Sequence, residues 1–316
     1  MLQNEKILVI KLGALGDFVQ ALGPMAAIRR HHPDAHITLL TTKPYEIFGY
    51  GCGYFNDVWI DQKPKWYDFS GWKNLGARLN AERFTRVYDL QNNDRTSFYF
   101  RLLNPRPEWV GAARGASHRN DSPLRTAGKA FDGHVQTLAL AGIADIAPDN
   151  LSWVEGDARH FHLPRRYALL VPGSAPERPE KRWPAEHFAA LANLIDRQGI
   201  QPIVLGTAAE EAVADTICRL HPRTKSLVGR TGLFDIVLLA RGASAAIGND
   251  TGPMHLIAAA GCPSYVLFSQ HSNPLRHAPI GAYLNVMQKD DLSDLSPEDV
   301  LRMLDFKGYF SLQKIS

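Results

Sequence analysis

The run Asn249-Asp250-Thr251-Gly252-Pro253-Met254-His255 places the residue types of an anion site at a strand-to-helix junction. Ala245–Gly248 is apolar and short enough for a buried strand, and an apolar helical pattern follows at once, with Pro253 suited to its first turn. First-turn N–H groups without partners, a hydroxyl and a glycine accept phosphate there, because the helix dipole is positive at its N-terminus. Asp250 repels a bare phosphate but can grip hydroxyls beside one, so a phosphate carrying a sugar satisfies both groups. The plain alternative is an Asp or Thr N-cap followed by a turn glycine.

Three other segments carry comparable chemistry. In Gly13-Ala14-Leu15-Gly16-Asp17, the glycines let the backbone turn sharply against a ligand, and Asp17 falls where a helix starts. Its carboxylate is a candidate general base for an attacking hydroxyl; a tight turn with a stabilising first-turn acid is the alternative. The stretch Val171–Pro184 offers small residues, Gly173 and Ser174, and then Lys181-Arg182, a plausible diphosphate cradle with Lys181 as point charge. A solvated, proline-rich loop explains the same composition. After Gly206, Glu210 or Glu211 stands where a carboxylate commonly bridges ribose hydroxyls, or simply acidifies a first helical turn.

The elements that must position these residues alternate in a βα pattern. Strands are expected at residues 6–12, 36–40, 57–60 and 86–90, with helices near 17–31, Tyr45 and 72–82; Pro24 should kink or tighten the first helix. The pattern restarts with strands at 167–171, 202–206, 245–248 and 264–268 and helices at 184–197, 210–220, 233–240 and 254–260. Such alternation implies parallel sheets covered on both faces, with sites at the carboxyl ends of strands. Two successive doubly wound units, joined near Asp157–Pro164, are expected, facing each other across a cleft.

Composition is consistent with this. A chain of 316 residues suits two domains of about 150 each. The near-balanced charge, formally +3, and ordinary aromatic content mark a folded globular protein. Apolar runs are strand-length and the N-terminus lacks a signal-peptide pattern, so a cytoplasmic enzyme is expected. Cys52, Cys218 and Cys262 are too few and too scattered for a disulfide framework or a zinc site.

Taken jointly, Lys11-Leu12-Gly13-Ala14-Leu15-Gly16-Asp17, Pro33 with its following strand, Lys181-Arg182-Trp183-Pro184 and Asn249–His255 resemble glycosyltransferase family 9, the ADP-heptose:lipopolysaccharide heptosyltransferases and their relatives. The resemblance spans nearly the whole chain. It implies an α/β chain of GT-B fold, with two Rossmann-like doubly wound domains facing a central cleft. Residues 1–163 would hold the acceptor and 164–295 the nucleotide sugar, with 296–316 returning to the N-terminal domain. It implies inverting transfer without a metal or cofactor, with Asp17 as base and Lys181 stabilising the departing diphosphate. Thr251 and Gly252 would hold the phosphates, Asp250 the donor sugar, and Glu210 or Glu211 the ribose, with Gly173, Ser174 and His255 completing the donor set. Ser174 stands where family members often place Thr pairs, and Glu177 is awkward beside a diphosphate unless it points away.

Between Arg95 and Ala130, the cations Arg95, Arg101, Arg106, Arg114, Arg119, Arg125 and Lys129 outnumber the acids Glu108 and Asp121. This reads as a solvated loop or as a docking surface for an anionic lipopolysaccharide-core acceptor. In the second reading, Gly13, Gly16, Arg95, Arg101, Arg114 and Arg119 are the acceptor candidates, and peripheral contact with the cytoplasmic face of an anionic inner membrane follows. No nucleic-acid-binding motif accompanies the charge. A nucleotide-sugar-binding protein without turnover and a nucleotide-sugar isomerase on the same fold are the alternatives.

Overall fold

The structure is a computed structural model that describes residues 5–175 and 177–304. It divides into two compact units, Met1–Asp149 and Asn150–Ser316.

The first unit carries strands β1 (Lys6–Ile10), β2 (His36–Thr41), β3 (Asp57–Ile60), β4 (Arg86–Asp89), β5 (Glu108–Gly111) and β6 (His118–Arg119). Its helices are α1 (Leu15–His31), α2 (Glu46–Gly51), α3 (Phe69–Ala81), α4 (Asp94–Leu102) and α5 (Ala130–Ala139). The second unit carries β7 (Tyr167–Val171), β8 (Gln201–Val204), β9 (Lys225–Ser226), β10 (Ala245–Asn249), β11 (Ser264–Phe268) and β12 (Leu284–Gln288). Its helices are α6 (Ala185–Asp196), α7 (Glu211–Leu220), α8 (Leu233–Gly242), α9 (Gly252–Ala259), α10 (Pro274–His277) and α11 (Pro297–Met303).

Both sheets are parallel throughout, ordered β3-β2-β1-β4-β5-β6 and β12-β11-β10-β7-β8-β9. Each is the doubly wound Rossmann order, so each has a switch point, at β1/β4 and at β7/β10, where a crevice opens beyond the strand ends. The fully buried sequences of β7, β10 and β11 explain their unbroken apolar character, since helices cover both faces. Gly248 on β10 pairs with Val171 on β7. A Cβ there would lie 2.7 Å from the Val171 Cβ and 2.8 Å from the Met254 sulfur. Only glycine lets β10 and α9 close on β7 at this point.

Several elements differ from expectation. The basic stretch after Arg95 is not one loop: α4, β5 and β6 run through it, with Trp109 and Val110 fully buried. Pro24, where a kink or tightening is expected, lies inside α1, which runs on to His31. The division between units falls before Asn150 rather than at 163/164 because residues 150–163 are strapped to the second unit. Arg241 donates to the Leu151 and Val154 carbonyls at 2.6 Å each, and Trp153 packs edge-on against Phe234. The described part of the C-terminal segment packs within the second unit: Leu292, Leu295, Val300 and Leu304 join the core beside α6. Residues 305–316, on which the rest of that expectation falls, lie outside the described residues, as does Pro176.

The three cysteines are free, and burial pushes the Cys52 and Cys262 thiols up to about 12, so these two act as core filler. Among the described residues, no helix is long and apolar enough to cross a membrane. Replacing Gly248 by Val should destabilise the chain by about 1–3 kcal/mol, read from urea unfolding, because the new side chain has nowhere to go.

Candidate active site

At the β7/β10 switch point, Asn249 is completely buried and ties two segments together. Its Oδ1 accepts from the Trp183 backbone N–H at 3.0 Å, and its Nδ2 donates to the Pro172 carbonyl at 2.7 Å. Both ends of the loop 172–183 are thereby fixed to the end of β10. Trp183 is itself buried, and its indole N–H donates to the Leu295 carbonyl at 2.9 Å.

This anchoring aims Lys181 at the neighbour of Asn249. The Lys181 Nζ lies 2.8 Å from the Asp250 Oδ2 and 3.2 Å from the Ser272 Oγ, and Ser272 also donates to the same carboxylate oxygen. The Lys181 and Asp250 side chains are only 15% and 9% exposed, so solvent screens the pair far less than a surface ion pair. Asp250 is not a helix cap. Thr251 occupies the N-cap of α9 with its hydroxyl making no capping bond, and Pro253 enters the first turn. His255 is buried on the same helix.

Ser174 and Glu210 have local partners. The Ser174 hydroxyl accepts from the Arg182 Nε at 2.9 Å and donates to the Arg178 carbonyl at 3.1 Å, which shapes the loop from within. Glu177 is exposed. The Glu210 Oε2 accepts from the backbone N–H and hydroxyl of Thr207, both at 2.7 Å, forming a capping box. The same side chain lies across Gly173 and Gly206, where an added Cβ would meet it at 3.0 and 2.8 Å. Of the two candidate acids, Glu210 is therefore the one beside the β7 loop, and Glu211 faces solvent.

In the first unit, a cavity of about 640 Å³ opens at the carboxyl ends of its strands, lined among others by Gly13, Tyr45, Lys43, Lys63, Gln91 and Arg95. Gly13, at φ +124°, follows β1, and the Tyr45 ring crosses its Cα so closely that a Cβ would lie 2.8 Å away. Gly16 and Asp17 follow in the first turn of α1; Asp17 is exposed, with no hydrogen bond or ion pair among the described residues. The cavity brings Gly13 and Arg95 together but not Arg101, Arg114 or Arg119. Arg101 lies in the last turn of α4, Arg114 is exposed beyond β5, and Arg119 pairs with Asp121 at 3.3 Å.

Beneath this floor lie charges to which the motifs assign no role. Lys11 is buried and donates to the Leu90 carbonyl at 3.3 Å; burial lowers its pKa, opposed by Asp17 and Asp89. Asp89 is wholly buried, accepts from the Gln91 and Asn92 N–H groups, and is pushed up to about 6 by burial. Ser272, Lys43 and Lys63 were missed. The only sequence signal for Ser272 is the polar run Ser269–Asn273 immediately after the apolar strand 264–268.

Two Rossmann-ordered units, with a lysine, a carboxylate and a helix N-terminus gathered at one switch point of the second, match the architecture of the GT-B glycosyltransferases. The sequence profile of glycosyltransferase family 9 (heptosyltransferase) matches residues 72–298, and the chain belongs to that family. It is similar to the lipopolysaccharide core heptosyltransferase OpsX of Haemophilus influenzae, at 24% identity over 90% of this chain and 84% of the relative. Its fold matches a family 9 glycosyl transferase from Veillonella parvula with a TM-score of 0.81, at 22% identity over 96% of this chain and 97% of that one. It matches the ADP-heptose heptosyltransferase II of E. coli with a TM-score of 0.77, at 21% identity over 98% and 100% of the two chains.

Two outcomes are expected. Asn249→Leu should cost about 2–4 kcal/mol in chemical unfolding, because it leaves the Trp183 N–H and the Pro172 carbonyl buried without partners. For Asp89, the folded state holds a proton that the unfolded chain has already released between pH near 4 and about 6. Its contribution to stability is therefore complete below that window and falls as pH rises through it. Wild type should lose up to about 3 kcal/mol relative to Asp89→Asn across the window, read as the difference between their unfolding free energies.

Proposed function

We propose that this transferase moves heptose from ADP-heptose onto an anionic, lipid-linked acceptor of the lipopolysaccharide-core type, with inversion and without a metal or other cofactor, at the cytoplasmic face of the inner membrane. The observation that carries the reading is the Lys181–Asp250–Ser272 cluster beside the N-terminus of α9. The names of the relatives support the sugar and the acceptor class.

Glycosyl transfer requires a proton to leave the nucleophile and negative charge to be neutralised on the departing diphosphate. Asp17, exposed in the first turn of α1 close after Gly13, is the base: its carboxylate takes the proton of the acceptor hydroxyl as that oxygen bonds to the anomeric carbon. The bond from that carbon to the diphosphate breaks on the opposite face. Lys181 and the first-turn N–H groups of α9, with the Thr251 hydroxyl, neutralise the leaving oxygens, a task a divalent cation performs elsewhere. Asp250 holds Lys181 through Oδ2 and offers Oδ1 to a hydroxyl of the donor sugar. Glu210 takes the ribose, beside Gly173; Gly252 and His255 belong to the same donor wall. Lys63 and Arg95, with Lys43 beside them in its pair with Glu46, outweigh Asp61 in the first-unit cavity and give it the charge to hold an anionic acceptor.

Asp17→Asn should lower kcat by about 10²–10⁴-fold while leaving ADP affinity nearly unchanged, measured by ADP release and by titration calorimetry. ADP release should require acceptor and persist in EDTA, and the product anomer should be opposite to that of the donor. Release without acceptor, or loss of turnover in EDTA restored by a divalent cation, would overturn the corresponding part of the assignment. ADP at about 100-fold its Kd should stabilise the chain by about 3 kcal/mol, and UDP and GDP by clearly less.

A further inference from the structure

The segment Lys63-Pro64-Lys65-Trp66-Tyr67-Asp68-Phe69 presents its aromatic residues outward. Trp66 is 83% exposed, Phe69 81% and Tyr67 53%. Most other exposed large apolar side chains stand singly, which needs no explanation, but three aromatics within four residues form a patch.

The patch rests on a fixed base. The Trp72 indole donates to the Lys65 carbonyl at 2.9 Å, and Arg95 donates to the Pro64 carbonyl at 3.2 Å while its guanidinium lies over the Trp72 ring. Asp68 caps α3 by accepting from the Gly71 N–H at 2.9 Å. The aromatic tips are therefore held outward by the backbone beneath them.

The charge around them is positive. Lys63, Lys65 and Lys73 are exposed, and the Lys65 ammonium lies 5.7 Å from the Tyr67 ring centre. Lys63, Lys65 and Lys73 outnumber the acids of the same segment, Asp68, which caps the helix, and Asp61, which is buried on the Tyr99 hydroxyl. Exposed Trp, Tyr and Phe interleaved with lysine match the chemistry of a bilayer interface, where aromatic rings sit at headgroup level and ammonium groups meet anionic phosphates. The patch is also continuous with the first-unit cavity, since Ile60, Asp61, Gln62 and Lys63 line that cavity directly before the aromatic run.

We propose that Lys65, Trp66, Tyr67, Phe69 and Lys73 dock the chain on an anionic bilayer surface and set the mouth of the Lys43–Lys63–Arg95 cavity at headgroup level. The aromatics supply interfacial insertion and the lysines supply salt-sensitive attraction. The inference deepens the reading of the acceptor as a lipid-linked glycan. Vesicle binding needs neither donor nor acceptor, so failure of the docking surface and failure of that reading are told apart.

The test is co-sedimentation of the full chain with phosphatidylcholine vesicles, alone or with about one-third phosphatidylglycerol, and quenching by bromine-labelled acyl chains. Wild type should bind the anionic vesicles, lose binding as salt rises, and be quenched. Trp66→Ser with Phe69→Ser, and separately Lys65→Glu with Lys73→Glu, should each weaken vesicle binding by about tenfold or more. All these side chains are at the surface, so melting temperatures should stay at the wild-type value, and turnover on an acyl-free acceptor should be unchanged. Wild type that ignores anionic vesicles, or variants that bind them as wild type does, would overturn the proposal. So would loss of self-association in sedimentation velocity with vesicle binding intact, which would make the patch a protein interface.

Discussion

One buried carboxamide decides the geometry of the second unit's site. Asn249 must donate and accept at once, because a backbone carbonyl reaches it from the start of the 172–183 loop and a backbone N–H from the end. An aspartate of the same size could only accept, and a leucine could do neither. With both ends of the loop fixed, the position of Lys181 follows from loop length, and Asp250 meets it as the next residue along the chain. The proline-rich sequence Pro172–Pro184, which by composition reads as a solvated loop, is instead tied at each end to a strand terminus.

The two units share one strand order but place their charges differently. In the second, a lysine and a carboxylate face each other almost out of solvent at the switch point, with a serine hydroxyl completing the group. In the first, Lys11 and Asp89 are buried under the β1 and β4 ends, while Asp17 remains exposed on the turn above them. Removing either partner from the second pair would strand a buried charge, whereas the buried acid of the first unit is accommodated by shifting its proton equilibrium. One architecture thus presents a nearly neutral, preorganised clamp and an open carboxylate.

Strands 57–60, 167–171 and 264–268 could be read to the residue, because each is a short run dominated by apolar residues and bounded by turn-forming or polar ones. The stretch from Arg95 to Ala130 could not. Its arginines dominate the composition, yet β5 contributes only Trp109, Val110 and Gly111 to the interior, and three consecutive buried residues show no period. Among the candidate residues, Asp17, Lys181 and Asp250 stood out because charged residues beside glycine and proline break an apolar pattern. Asn249 was visible as a motif letter, but its task was not, since that depends on Pro172 and Trp183 arriving from another strand-end loop. Ser272, Lys43 and Lys63 share that difficulty: they come from loops remote in sequence from the residues they join. Which of Glu210 and Glu211 lies beside the β7 loop likewise depends on the backbone turn at Thr207.

Trp183 links the site to a part of the chain that carries no chemistry. Its ring sits in the core with Leu295, Val300 and Leu304 from the C-terminal segment, and its indole N–H is satisfied there by the Leu295 carbonyl. A chain cut short before Leu292 would retain every site residue in its sequence and lose the wall against which Trp183 is seated. At that end of the loop, Lys181 would then depend on the bond from the Trp183 N–H to Asn249 alone, without the packing that holds the Trp183 ring. For this fold, a nonsense codon or a protease nick near the C-terminus is therefore a lesion of the lysine more than a hundred residues upstream, transmitted through one tryptophan.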